Sequence, residues 1–243
     1  MVKDNSLVTD IVLADHRSAF VFRKYAIDYC CGGKLPLSLA CEIRGLDLNI
    51  IKAELAEMMR NASVSAVLNY RQWDADFLVA YLVNVHHGYL INTLPDLLES
   101  LEAFVNSHRT KYDYLDKLLL CVKELRDEIL PHLEHEEQII FPYVKQIAHA
   151  YHNNESYASL LVKTMRKPVE SMMQEEHAYI NKYLEQLRLL TNNYTAPPNA
   201  CISHRVSFAK LRELDEDLQQ HLFLENEILF SKTVQMEREL LGG

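Results

Sequence analysis

The sequence predicts an all-α protein, an antiparallel four-helix bundle preceded by a small helical domain. Three observations carry that prediction. Gly and Pro are scarce, at 6 and 7 of 243 residues, which argues against a β-sandwich, a collagen-like chain or a disordered one. From about residue 74 onward, apolar residues recur at intervals of three and four, the period of a helix face. The stretches that interrupt this period are short, so successive helices run antiparallel. Strand signals are nearly absent.

The N-terminal elements come first. Residues 7–28 read as one helix. Cys30-Cys31-Gly32-Gly33 then breaks the chain. A short helix over Leu37–Arg44 ends at Gly45, a residue suited to closing a helix. Asp47 is placed to N-cap a third helix running through Arg60. The stretch 61–72, NASVSAVLNYRQ, is the best linker candidate. The expected domains are therefore 1–65, small and helical, and 74–243, the bundle.

Four amphipathic segments build the bundle, over about 74–106, 111–150, 157–192 and 204–240. In the first, Phe77, Ala80, Asn84, His87, Ile91, Leu94 and Leu98 form one stripe. In the second the stripe is Leu118, Val122, Leu125, Ile129, His132, Glu136, Ile139 and Tyr143. The third holds Met173, His177, Ile180, Leu184 and Leu187, and the fourth Leu211, Leu214, Leu218, His221, Glu225 and Ile228. Such stripes face a bundle core. The connections carry the breakers Asn106-Ser107, His152-Asn153-Asn154 and NNYTAPPNA. Pro95, Pro131, Pro142 and Pro168 fall inside the helical patterns and mark kinks or boundaries.

Composition narrows the function. Lys plus Arg is 25 and Asp plus Glu 34, a formal charge of −9. That balance opposes a nucleic-acid partner, which needs a positive footprint. A helix-turn-helix reading of the first three helices fails likewise, because residues 1–60 are not strongly basic. No apolar run reaches about 18 residues, so no membrane span or membrane partner is expected. The opening MVKDNSLVTD carries acids where an export leader would be apolar, so a cytoplasmic location is expected. Five cysteines, an odd count, fit a reducing compartment with free thiols. Monomer and homodimer both remain open.

The bundle also repeats itself. His132-Leu-Glu-His-Glu136-Glu-Gln-Ile-Ile-Phe141 and His221-Leu-Phe-Leu-Glu225-Asn-Glu-Ile-Leu-Phe230 share the pattern H-x-x-x-E-x-x-I-[IL]-F. His87-Gly-Tyr-Leu and His177-Ala-Tyr-Ile match more weakly. One helical hairpin has been used twice, and stacking the two about a pseudo-two-fold axis gathers four His and two Glu.

A single His on an apolar stripe is most simply a hydrogen-bonded core residue. A Glu there is harder to dismiss, because an unpaired buried carboxylate costs several kcal/mol and is therefore paired or metal-bound. Few Lys or Arg lie on these stripes. Residues four apart stack on one helix face, about 5–6 Å apart, so a His and its Glu can serve neighbouring metals. Six ligands suit two metals, each taking two imidazoles and both sharing two carboxylates. Imidazole and carboxylate without thiolate favour iron or manganese over structural zinc. The Glu-x-x-His pair of ferritin-like bundles is absent from the sequence. His135-Glu136 lacks the second His of a metalloprotease motif.

These motifs carry a resemblance. Residues 80–230 resemble a hemerythrin-like domain, and the whole chain resembles the bacterial iron–sulfur cluster repair di-iron proteins, the repair-of-iron-centres family. The likeness rests on Ile27-Asp28-Tyr29-Cys30-Cys31-Gly32-Gly33 followed by Cys41, and on HGYLINTLP, HLEHEEQIIFP, EEHAYI and HLFLEN. It implies His87, His132, His177 and His221 as metal ligands with Glu136 and Glu225 as bridges. The implied cofactor is two non-haem iron ions, oxo-bridged. The implied role is restoring iron–sulfur clusters after oxidative or nitrosative stress, by supplying iron or acting on nitrosylated centres. The partners would be damaged iron–sulfur proteins, with nitric oxide or oxygen as small-molecule partners. The resemblance implies a repair protein rather than a conventional turnover enzyme. The competing reading is a hemerythrin-like sensor or store for oxygen, nitric oxide or iron.

Two further acids rank lower. Glu128, one turn before His132, and Glu176, beside His177, would support the ligands from behind, line an iron exit path, or be solvated helix residues. His86 competes with His87, but His87 fits the stripe. His16, His108, His149, His152 and His204 have no partner at ligand spacing and read as surface. Cys30-Cys31 is the other reactive feature, because a disulfide between neighbours is strained and labile. It reads as a redox pair, a transient iron site or a nitric oxide trap, against a buried small-residue turn. Cys41 would pack nearby, and Cys121 and Cys201 carry no assigned chemistry.

Overall fold

The structure is a computed structural model and describes residues 2–14, 18–29, 35–60, 69–164 and 169–242. By contact the chain divides into two compact units, Met1–Asp74 with Leu222–Ile228, and Ala75–His221 with Leu229–Gly243. Among the described residues every regular element is a helix, and the one further feature is an isolated bridge between Leu7 and Pro36. None of these helices is long and apolar enough to cross a membrane.

The first unit holds α1 (Val8–Ala14), α2 (Ser18–Lys24), α3 (Leu37–Arg44) and α4 (Leu48–Arg60). Of the helix expected over 7–28, Val8–Ala14 and Ser18–Lys24 are helical, and residues 15–17 lie outside the described set. α2 stops at Lys24, short of 28, because Ala26 enters the left-handed region at φ +54. The Ile27 N–H then donates to the Phe22 carbonyl at 2.8 Å, closing the helix end. α3 ends as expected at Gly45, φ +64, where the Leu46 N–H reaches the Cys41 carbonyl at 2.9 Å. Asp47 caps α4 by accepting from the Asn49 N–H at 2.8 Å. Val8, Ile11, Val21, Phe22, Leu37 and Leu55 supply the core, and Cys41 is buried beside them in sequence on α3. Tyr29 sets its ring 6.3 Å from that of Phe223. Cys30, Cys31 and residues 61–68 of the expected linker lie outside the described residues.

Residues 75–240 form four helical runs. The first is α5 (Ala75–Tyr81), a π segment Leu82–His87 and α6 (Gly88–His108). The second is α7 (Leu115–His135), a π segment Glu136–Ile140 and α8 (Phe141–His152). The third is α9 (Ala158–Thr164) and α10 (Val169–Leu190). The fourth is α11 (Ile202–Leu224), a π segment Glu225–Phe230 and α12 (Ser231–Leu240). α7 packs on α6 and α10, and α8 on α5 and α12. Asn154 at φ +52 and Asn192 and Asn193 at +47 and +52 break helices in the left-handed region as expected, whereas α6 runs through Asn106-Ser107 to His108. Tyr194 follows at +59, a costly conformation for a bulky residue. Its hydroxyl donates to Asp215 at 2.9 Å, and Arg188 grips the same carboxylate at 2.6 and 2.8 Å.

The π segments of the first two runs correct the expected stripes, whereas the fourth run's stripe is buried at every position. Each of these two segments winds wider than an α-turn and shifts the face that follows. Around the first, Leu78, Leu82 and Leu90 are buried, whereas Phe77, Ala80, Asn84 and Ile91 are exposed. Around the second, Ile140 is buried and Ile139 is half exposed. The described third run has no π segment, and its expected stripe is buried at every position. Pro142 supplies a local cause for the second segment. It has no N–H to offer the preceding turn, so the α ladder is already broken there.

Candidate metal centre

Four histidines of the second unit converge on one carboxylate. Glu136 opens the π segment after α7 and is fully buried. Its Oε1 faces His132 Nε2 at 3.4 Å and His177 Nε2 at 3.8 Å. Its Oε2 faces His87 Nε2 at 3.4 Å and His221 Nε2 at 3.7 Å. The four imidazoles are themselves buried. Glu225, also fully buried, stands four residues after His221 and opens its own π segment. Ligand atoms of His87, Glu136, His221 and Glu225 lie within 4.8 Å of one another, as do those of His132, Glu136, His177 and Glu225.

Neither oxygen of Glu136 has a hydrogen-bond partner, nor does Nε2 of His87 or His132. Separations of 3.4–3.8 Å are too long for hydrogen bonds and leave buried polar atoms uncompensated. A cation among them supplies the missing partner, so the residues fit a metal. Burial pushes the Glu136 carboxyl up, but the four surrounding imidazoles outweigh it and hold the group well below the usual carboxylate range. An ionised carboxylate and imidazole lone pairs are the protonation states that metal binding requires.

Outer carboxylates aim the imidazoles. His87 Nδ1 donates to Glu137 Oε1 at 2.7 Å, and His132 Nδ1 to Glu176 Oε2 at 2.8 Å. With Nδ1 carrying the proton, Nε2 presents its lone pair inward. Glu176 also accepts from His135 Nδ1 at 3.1 Å. Its carboxyl is lowered, chiefly by the bond from His132. Rings complete the walls: Phe141 stacks on His87 at 5.5 Å and Phe230 on His177 at 6.1 Å.

Of the residues singled out in the sequence, the structure brings together His87, His132, Glu136, His177, His221 and Glu225, with Glu176 behind His132. Glu128 is exposed, and the carboxylate that bonds His132 Nδ1 is Glu176. Sequence reasoning passed over Glu137, although its place beside Glu136 in a Glu-Glu pair was a signal. It also set His86 aside, yet His86 is buried, stacks on His221 at 5.6 Å and bonds Asp217 at 2.9 Å. His204, read as surface, is fully buried, because Phe104, Tyr112 and Phe208 wrap it.

Residues 78–233 match the hemerythrin HHE cation-binding domain, and residues 4–59 match a domain of unknown function, DUF542. The chain is 31% identical over 225 residues to the iron–sulfur cluster repair protein YtfE of Edwardsiella ictaluri, covering 93% of this chain and 95% of that one. Against the protein of the same name from Escherichia coli O81 it is 30% identical, covering 93% and 94%. The chain belongs to this family. Within it, the two matched regions keep the order read from the sequence, a small N-terminal domain and then the cation-binding bundle. The histidines and glutamates gathered around Glu136 all fall inside the cation-binding match.

Proposed function

We propose that this protein repairs damaged iron–sulfur clusters in the cytoplasm, using two iron ions held in the bundle. The observation that carries the reading is the fully buried Glu136 carboxylate, whose two oxygens face two pairs of imidazoles. His87 and His221 would hold one iron, His132 and His177 the other, with Glu136 and Glu225 shared. Iron bound there would supply redox and Lewis-acid chemistry and a pool of metal for transfer. The chain's own part is to keep the site dry, present Nε2 lone pairs, and fix two imidazoles through Glu137 and Glu176. The names carried by the relatives support repair over storage.

Cys30 and Cys31 would serve transfer, to the damaged cluster or to nitric oxide on it. The test is reactivation of an iron–sulfur dehydratase whose cluster has been damaged by peroxide or nitric oxide. Ferrous-loaded protein should restore activity well beyond the same amount of free ferrous iron, and the Cys30→Ala/Cys31→Ala variant should restore less with its iron content intact. Recovery equal to free iron would refute the repair reading and leave sensing or storage.

A further inference from the structure

His86 is a buried imidazole that the ligand set does not use. It is 2% exposed and precedes His87 in the chain, yet it joins neither group of converging ligand atoms. Three neighbours fix it. A hydrogen bond of 2.9 Å joins its Nδ1 to Asp217 Oδ1. Its ring lies along that of His221, with centroids 5.6 Å apart and planes only 11° from parallel. Tyr81 meets it edge to face at 5.5 Å.

Asp217 and His221 stand four residues apart on α11, hence on one face of that helix. The helix that carries the ligand His221 therefore also carries the group that anchors the ring lying on it. Space beside a ligand can be filled by a phenyl or an aliphatic side chain. Here the filler is a polar ring whose second nitrogen, Nε2, is buried without a partner. That opposes folding, so packing alone does not account for the residue. Elsewhere in the site, His87 and His132 are each restrained at Nδ1 by a carboxylate, Glu137 and Glu176. At His221 a stacked imidazole, itself tied to a carboxylate, restrains the ring from its face.

We propose, resting on the two-iron reading above, that His86 and Asp217 are a positioning pair for His221. Asp217 holds the His86 ring flat against the imidazole, and that contact fixes the orientation in which His221 meets its iron. The pair acts on the position of His87 and His221 and leaves that of His132 and His177 unchanged.

Two variants of the full chain break the bond from opposite sides. His86→Phe keeps a flat ring and loses the hydrogen bond, whereas Asp217→Leu keeps His86 and removes its anchor. Asp217→Asn is the conservative rescue, because an amide offers both a donor and an acceptor and so keeps the bond in either tautomer of His86. Each protein is titrated stepwise with isotopically enriched ferrous iron and followed by Mössbauer spectroscopy. His86→Phe and Asp217→Leu should each weaken one iron position about tenfold and shift its doublet alone. Asp217→Asn should recover most of that affinity. The metal-free proteins give a second readout by nuclear magnetic resonance: the His221 ring signals should broaden in Asp217→Leu and sharpen again in Asp217→Asn. Parental affinity in His86→Phe, both iron positions weakened alike, or unbroadened His221 signals in Asp217→Leu would overturn the proposal. A parent that bound fewer than two irons would refute the two-iron reading, and the ring signals, read without iron, would then decide the pair by themselves.

Discussion

In the first hairpin of the bundle, residues 75–152, His87 stacks on Phe141 and the centre's carboxylate is Glu136; in the second, 158–240, His177 stacks on Phe230 and the carboxylate is Glu225. Both carboxylates open a π segment four residues after a His, so the repeat extends to a shared backbone irregularity. Behind the inner residues the hairpins part. Glu137 and Glu176 fix the two imidazoles of the first hairpin, His87 and His132. The residue before His177 is Glu176, whereas the residue before His87 is His86, which stacks on His221. Duplication kept the atoms that point inward and let the outer partners diverge. The two proposed iron positions therefore share a ligand set but differ in tuning.

The largest effect should come from the atom both positions share. Glu136→Leu should lower apparent iron affinity by more than about a hundredfold and empty both positions. Helicity of the metal-free protein should be kept, because replacing a buried carboxylate by an apolar residue is neutral or stabilising. Iron analysis beside circular dichroism checks this, and two retained irons would break the ligand assignment.

Removing the outer carboxylates sharpens the comparison. Glu176→Gln should weaken the His132/His177 position about 10–100-fold, and Glu137→Gln the His87/His221 position by a similar factor. Stepwise iron titration with a spectroscopic readout should show one weakened site in each case. If either variant weakened both positions alike, the two would not be separately tuned.

Acid should reveal Glu176 in the metal-free protein. Its carboxyl is lowered in the fold, chiefly by His132, so its contribution is present above the unfolded value near 4.3 and is lost as pH falls through the lower folded value. Urea midpoints of the parent and Glu176→Gln should differ at pH 6 and draw together as the pH falls below the unfolded value of about 4.3. A gap unchanged at pH 3 would contradict this.

The smallest expected effect concerns the stacked rings. Phe141→Leu and Phe230→Leu should each cost about 0.5–1.5 kcal/mol beyond the loss of buried area. Denaturant unfolding should give similar losses, and a clear inequality would show that the hairpins differ even at this level.

The period of the bundle and the six inward residues were legible because burial and helical repetition leave a periodic trace. Met173 to Leu187 is the clean case, a run without a π segment whose every expected residue is buried. Phe77, Ile91 and Ile139 were misplaced because a wider turn shifts the face, and only Pro142 hints at one. Glu137 and His86 escaped because partners that act across helices leave no periodic trace in their own helix. His204 escaped for a related reason: the aromatic rings that bury it come from α6, the turn after it and α11.

The central claim is that Glu136 and Glu225 join two irons in one buried site. Iron analysis of the full chain together with Mössbauer spectroscopy tests it most directly. The account predicts two irons per chain, magnetically coupled, giving two distinguishable doublets of equal area because His86, Glu137 and Glu176 surround them differently. One iron per chain, or two irons without coupling, would contradict it.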